Sequence, residues 1–438
     1  MSLFSRILPK KQHEPSPQIQ FGRFCDGYKS PAQIVCWDLA VKHFVAEKYL
    51  DSFESLLGFL KDSASQNVVW TKSNGVIQFT LYQGSKLVSG EVSALHVWAK
   101  ARIAGFESPD VGWMRILLEE NYHMLYSRYA VNDQNEIIIV FDNFMEEASP
   151  HKMLEALREL AIRADKLDDI LIADFSYLKP LQNQHIIPLS DHIKETKYRF
   201  FAEKVREVRA LINHPPQEFL SYKASYMYLI LATGYSLDYL IKPEGKLMKC
   251  IEQCHTQYFN EMAMDPDIKI RLLIQNFSKM DEMDKSAFLS EMYETRSTFG
   301  MDLPVGSRGL LEVIEAQWSD LEWFYENEYH VVHKYMCDYI IGFSLFSMSL
   351  PLPYKKLLHL YYEVTEYPYF KALGFECPFI KEDKIVVRQM VKTLQHIKTN
   401  ENPDSMVFSP DVSLLDGTTQ VTFRHSFLFM LKETLSKE

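Results

Sequence analysis

Glycine is scarce in this chain, with 16 in 438 residues, and so are all the motifs that depend on it. No G-x-x-x-x-G-K-[ST] loop occurs, so the backbone cradle that phosphate-hydrolysing enzymes use is absent. No G-x-S-x-G elbow presents a serine nucleophile. H-E-x-x-H is missing, and the acidic group Asp165, Asp168, Asp169 and Asp174 lacks the D-x-D-x-D-G order of a calcium loop. It reads as a solvated acidic edge. No basic run exceeds two residues, as at Lys10-Lys11, and the formal charge is −11, so whole-molecule attraction to nucleic acid is disfavoured. Uncharged runs are also short. Residues 224–237 and 339–354 fall below the roughly 20 residues of a membrane span, and Pro351 and Pro353 interrupt the second. The start has no apolar core of signal-peptide length. Six scattered cysteines in so long a chain do not form a disulfide framework and suit a reducing cytoplasm.

What is present is aromatic and apolar: 24 Tyr, 28 Phe and 47% hydrophobic residues, enough for large cores. Residues 1–20, with Pro9, Pro15 and Pro17, read as a disordered tail. From Ser30-Pro31, Ile34, Trp37, Val41 and Phe44 recur at helical spacing, predicting helix to about residue 62 with a bend near Tyr49. The period then changes to two. Alternation on both sides of Asn74-Gly75 predicts a hairpin, and residues 86–104 read as one long third strand, bent or bulged at Gly90. A helix opened by Ser108-Pro109-Asp110, two strands split by "NDQN", and a helix opened by Ser149-Pro150 follow. The stretch "EIIIVFDNF" ends in Asp142 as a nucleotide-binding strand would. Its place as the second arm of a hairpin argues that it is only a strand.

The expected fold class is therefore α+β. Residues 21–180 form an antiparallel sheet with helices packed on it. Residues 190–438 form a mostly α-helical domain, an irregular bundle or solenoid. In the second half, helices are predicted near 246–263, 267–279, 283–298, 308–343, 353–366 and 382–398. Gly234 is expected to end a buried helix, and a small hairpin near 405–424 is expected to turn at Asp416-Gly417.

Metal chemistry has one constellation to test. Glu326, His330, His333 and Cys337 stand at offsets 0, 4, 7 and 11 and would share a helix face, though the first and last would be about 16 Å apart. At most two of them could join ligands from another helix. Cys250, Cys254 and His255 have the wrong spacing for a zinc knuckle. The aromatic residues Trp70, Phe79, Tyr82, Trp98 and Trp113 crowd the front half. On a sheet covered on one face, some of them would stay accessible to a partner chain.

The order of elements in "VGWMRILLEENYHMLYSRYAVNDQNEIIIVFDNFMEEASPHKMLEALRELAIRADKLDDIL" resembles the type III secretion chaperone-like superfamily, including its YbjN-type members. Leu117, Leu118 and Asn121 match the end of that family's helix, and Ala164-Asp165 a later position. The resemblance spans residues from about 31 to 175. It implies a bacterial cytoplasmic α+β sandwich that handles other polypeptides, often as a homodimer, without catalysis. Those chaperones are small single domains, whereas this chain carries about 250 further residues.

The reading that follows is a non-enzymatic protein-binding module needing no cofactor. A partner polypeptide would lie on its sheet or in a groove, on Val88, Val92 and Trp98 of the long third strand and Trp113 of the next helix. The alternatives are a metal-dependent enzyme centred on His330 and His333, and a structural scaffold.

Overall fold

The Asn74-Gly75 turn begins the sheet as its sequence predicts. Both residues take positive φ, 50° and 74°, the geometry of a tight two-residue hairpin. The structure is a computed structural model that describes residues 17, 19–23, 27–62, 65–181, 186–260, 264–295, 299, 306–382, 384–400 and 408–437. Most of the predicted N-terminal tail lies outside them.

The front half runs α1 (Pro31–Val45), α2 (Tyr49–Leu60), β1 (Val68–Ser73), β2 (Val76–Gln83), β3 (Lys86–Val92), β4 (His96–Gly105), α3 (Val111–His123), β5 (Arg128–Val131), β6 (Glu136–Phe144), α4 (Pro150–Asp174) and β7 (Lys179–Pro180). The strands form one sheet in the order β1-β2-β3-β4-β6-β5, with β7 added to β4. Every pairing is antiparallel. Asp142 lies on β6 paired with Arg128 of β5, as a hairpin residue and not at the mouth of a parallel sheet.

Three local expectations are corrected. The helix from residue 31 breaks into two at Glu47, where φ is 56°. Ser30 and Ser149 cap α1 and α4 with proline following, but α3 is capped by Asp110, whose carboxylate accepts the Gly112 N–H. The long third strand is two strands. Ser93 turns the chain, its hydroxyl oxygen accepting the N–H groups of Leu95 and His96. Gly90 neither bends nor bulges β3, whose register runs unbroken on both sides. A side chain there would meet the Phe79 ring 2.2 Å away. The bulge instead falls on β4, between Arg102 and Ala104.

The second half runs β8 (Ile187–Pro188), α5 (Asp191–Asn213), α6 (Gln217–Ser221), α7 (Ser225–Ile241), α8 (Gly245–Asn260), α9 (Pro266–Asp281), α10 (Lys285–Ser290), β9 (Tyr293–Glu294), α11 (Gly306–Glu326), α12 (His330–Ser347), α13 (Leu352–Thr365), α14 (Tyr367–Ala372), β10 (Ile380–Lys381), β11 (Lys384–Ile385), α15 (Val387–Asn400) and α16 (Gln420–Leu435). The first uncharged run lies almost wholly in α7, and the second ends α12 and crosses a break at 348–351 into α13; α7 and α12 pack on each other in the core. Gly342 allows that approach, since a Cβ there would lie 2.8 Å from Tyr235 Cβ. Gly234 sits inside α7 and does not end it. The predicted helix at 283–298 shortens to α10, whose described continuation enters β9. Residues 408–419 contain one 3-10 turn and no strand, and Asp416-Gly417 leads into α16, so the described part of 405–424 is not a hairpin. Among the described residues, no helix is long and apolar enough to cross a membrane.

Buried apolar side chains separate into two clusters. One lies between the sheet and α1–α4 and the other lies within the helical half.

Candidate functional site: the uncovered face of the sheet

Burial alternates along β2, β3 and β4, as a sheet with one covered face requires. Ile77, Phe79, Leu81, Val88, Val92, Val97, Ala99 and Ala101 point toward the helices. The other face carries two rows that can be read from the register. Thr71, Gln78, Glu91, Trp98 and Asp142 stand side by side on β1, β2, β3, β4 and β6. Val69, Thr80, Ser89, Lys100, Val140 and Arg128 form the adjoining row, which extends to β5.

A shallow depression of about 380 Å³ lies on this face between β1 and β4. Val69, Thr71, Gln78, Thr80, Glu91 and Trp98 line it. Trp98 is 38% exposed, and the Lys100 ammonium sits 5.5 Å from its ring centre. Gln78 donates to Glu91 across the floor (3.3 Å). Val69, Leu87 and Phe144 add further exposed apolar surface. The arrangement offers aromatic and apolar area with charges spaced around it. That suits the burial of another chain's side chains and provides no nucleophile and base in contact.

The two edges of the sheet differ. At β5, Asn121 of α3 bonds both backbone groups of Tyr129, accepting its N–H (2.7 Å) and donating to its carbonyl (3.2 Å). The side chain takes the place of a next strand. At β1, Tyr82 N–H donates to Asn67 C=O. By alternation, the backbone groups of Val68, Trp70 and Lys72 therefore point away from β2, toward the outer edge beside the depression.

Of the partner-binding residues read from the sequence, the structure leaves only Trp98 at the surface. Val88, Val92 and Trp113 have no exposed area. The hairpin at Ser93 is the reason. It pairs Val92 with Val97, so even-numbered residues of β3 share a face with odd-numbered residues of β4. Read as one strand, Val88, Val92 and Trp98 would share a face; read as two, Trp98 faces away from the others. Trp113 packs against Phe106 beneath the sheet, with ring centres 5.0 Å apart.

A second apolar surface was missed in the sequence. Met114, Leu118, Tyr122 and Leu125 are exposed along α3 and its end, with Tyr122 at 86%. Their spacing of four, four and three was readable. Trp113 and Leu117 form a separate, buried stripe on the same helix.

The metal constellation does not assemble. Glu326 ends α11 and His330 begins α12. The chain between them turns at Glu328, where φ is 61°, and both side chains are exposed. His333 and Cys337 do meet, with the thiol sulfur 3.6 Å from Nε2, and His425 of α16 lies 3.3 Å from the same nitrogen. Burial, followed by repulsion from His425 and Arg424, pushes the His333 pKa down to about 3. Burial also holds the Cys337 thiol well above its ordinary value. Both are neutral packing groups. Among the described residues, no three His, Cys, Asp or Glu side chains are placed to hold a metal ion. Cys254 is buried, its thiol pushed up to about 12, and His255 Nδ1 pairs with the Tyr235 hydroxyl. Asp165 is no solvated edge, because it accepts the Ser85 N–H (2.8 Å) and closes the turn between β2 and β3.

No protein-family model matches the chain, and no curated protein sequence matches it significantly.

Proposed function

We propose that this protein is a non-enzymatic, chaperone-like binding module of the cytoplasm. It receives a partner polypeptide on the uncovered face of its sheet, between the β1 edge and Trp98. The observation that carries this reading is the one-sided sheet. Its helices all pack on one face, and the other presents an aromatic-floored depression beside a strand edge. A partner strand added at β1 would gain backbone hydrogen bonds, and the depression would take one of its apolar side chains. Free thiols at Cys36, Cys250, Cys254, Cys337 and Cys377 support a reducing compartment.

The test is site-specific photo-crosslinking. A photoreactive residue at Thr80 or Trp98 should trap a discrete partner in the native cell, and the same residue at exposed Arg308 should not. With that partner in hand, Trp98→Ala should weaken binding by about 2 kcal/mol or more, as loss of a central aromatic anchor does. Identical products from all three positions, or unchanged affinity of the Trp98→Ala protein, would rule the reading out.

The exposed stripe on α3 favours a homodimer built on that helix, separate from the partner face. Light scattering should then give twice the 51.2 kDa chain mass, falling to one chain in Leu118→Glu. A monomeric wild type would remove the dimer and leave the sheet-face reading untouched.

A further inference from the structure

Residues 19–23 precede the first helix of the front domain, yet they lie against the helical domain. The Phe21 ring enters a cage of rings. Phe370 and His359 stand 5.1 Å away between centres, Phe375 5.7 Å and Tyr239 6.4 Å. Gly22 donates its N–H to the carbonyl of Tyr239 at 2.7 Å. That carbonyl is one of the four at the C-terminus of α7 that have no partner within the helix. The other three are also met: Asp238 by the Lys242 N–H, Leu240 by the Tyr369 hydroxyl, and Ile241 by the Lys197 ammonium. Gly22 thus completes the cap of a helix that is buried along most of its length. It has φ of 68°, and a Cβ would stand 2.7 Å from the Tyr239 ring, so only glycine fits. Arg23 then places its guanidinium between the carboxylates of Asp238 and Glu252.

We propose that this groove is a recognition site for a polypeptide carrying the consecutive residues aromatic–Gly–Arg. In this chain its own residues 21–23 occupy it, and a partner with the same three residues displaces them. Each of the three is read by a different device: a ring cage, a steric ban on any Cβ beside an open carbonyl, and a paired-carboxylate clamp. A cleft that only needed filling would be filled as well by apolar side chains, because a guanidinium pair gains little over them in stability. It does select arginine. The contacts all come from one short contiguous stretch, so a second polypeptide can reproduce them without the rest of this chain. Tethering gives the native segment an effective concentration near millimolar, so it excludes weak competitors.

The experiment starts from the folded full-length chain, with every contact in the groove in place. A specific protease site is inserted between Asp26 and Gly27, and the purified protein is cut and diluted. The expected result is that the N-terminal fragment leaves on gel filtration and the remainder keeps its circular dichroism. A fluorescent peptide of residues 17–24 should then bind the cut protein more tightly than the uncut one by about tenfold or more. Peptides with Phe21→Ala, Gly22→Val or Arg23→Glu should lose binding. Three results would overturn the proposal: a remainder that unfolds when the fragment departs, a fragment that cannot be removed short of unfolding, or a Gly22→Val peptide that binds as well as the native one. Trp98→Ala should leave this assay unchanged, which separates the groove from the sheet face.

Discussion

His333 shows how one residue can resemble a ligand in sequence and be a packing group in space. Its spacing to Cys337 puts both on one helix face, and that face turns inward against α16. Burial keeps the imidazole neutral down to about pH 3, whereas in the unfolded chain it takes a proton near its ordinary value of 6.5. The depressed folded value sets the sign. Stability from this residue is complete above pH 6.5 and is lost as pH falls from 6.5 toward 3, because only the unfolded chain gains the proton. Each pH unit in that window costs about 1.4 kcal/mol. Denaturant midpoints measured from pH 7 to pH 4 should therefore fall less steeply in His333→Gln than in the wild type. Equal slopes would show that the ring is solvated. Glu363 has the opposite sign. Burial raises its carboxyl to about 7, so its share of stability is present in acid and is lost as pH rises from its ordinary 4.5 through 7.

At the scale of elements, α3 and β5 are joined by side chains acting as backbone. The Glu159 carboxylate accepts the N–H groups of Leu125, Tyr126 and Ser127 and the Ser127 hydroxyl. Burial works against its charge, and the donors outweigh that, holding its pKa below the usual carboxylate range. Asn121 closes the β5 edge in the same way. In Asn121→Ala, Tyr129 would keep an unpaired donor and acceptor at the end of the sheet. The expected result is a loss of about 1–3 kcal/mol in chemical denaturation, with concentration-dependent association in light scattering. A variant as stable and as dispersed as the wild type would mean that water satisfies this edge equally well. The order Leu-Leu-x-x-Asn is legible in the sequence at residues 117–121, and its asparagine is the strand-edge cap.

At the scale of the whole molecule, each half lends a segment to the core of the other. Phe21 packs among the helices, while Phe299, from the helical half, packs beneath the sheet. The Gln83 side chain holds Phe299 as a strand neighbour would, accepting its N–H (2.9 Å) and donating to its carbonyl (3.4 Å). Lys166 of α4 and Arg23 share Glu252 of α8, adding charge pairs to the same seam. Phe299→Ala should cost about 3–5 kcal/mol, as loss of a buried aromatic does. Hydrogen exchange should rise in the front domain at the end of β2. Exchange that rises only in the helical half would mean that Phe299 does not anchor the sheet.

The sequence by itself determined the class of the two halves, the Asn74-Gly75 and "NDQN" hairpins, the antiparallel strands and the burial of the two uncharged runs. Each of these follows from local period and from turn or cap residues. Tertiary structure decided which residues face outward. A turn made by a serine hydroxyl, without glycine, proline or asparagine, reversed the parity between Val88 and Trp98. It also decided which polar side chains stand in for backbone, as Asn121, Asp165 and Gln83 do, and where residues 19–23 lie. Those outcomes depend on hydrogen bonds and ring contacts between residues hundreds of positions apart, as Phe21 and Phe375 are. Local pattern carries no record of separations on that scale.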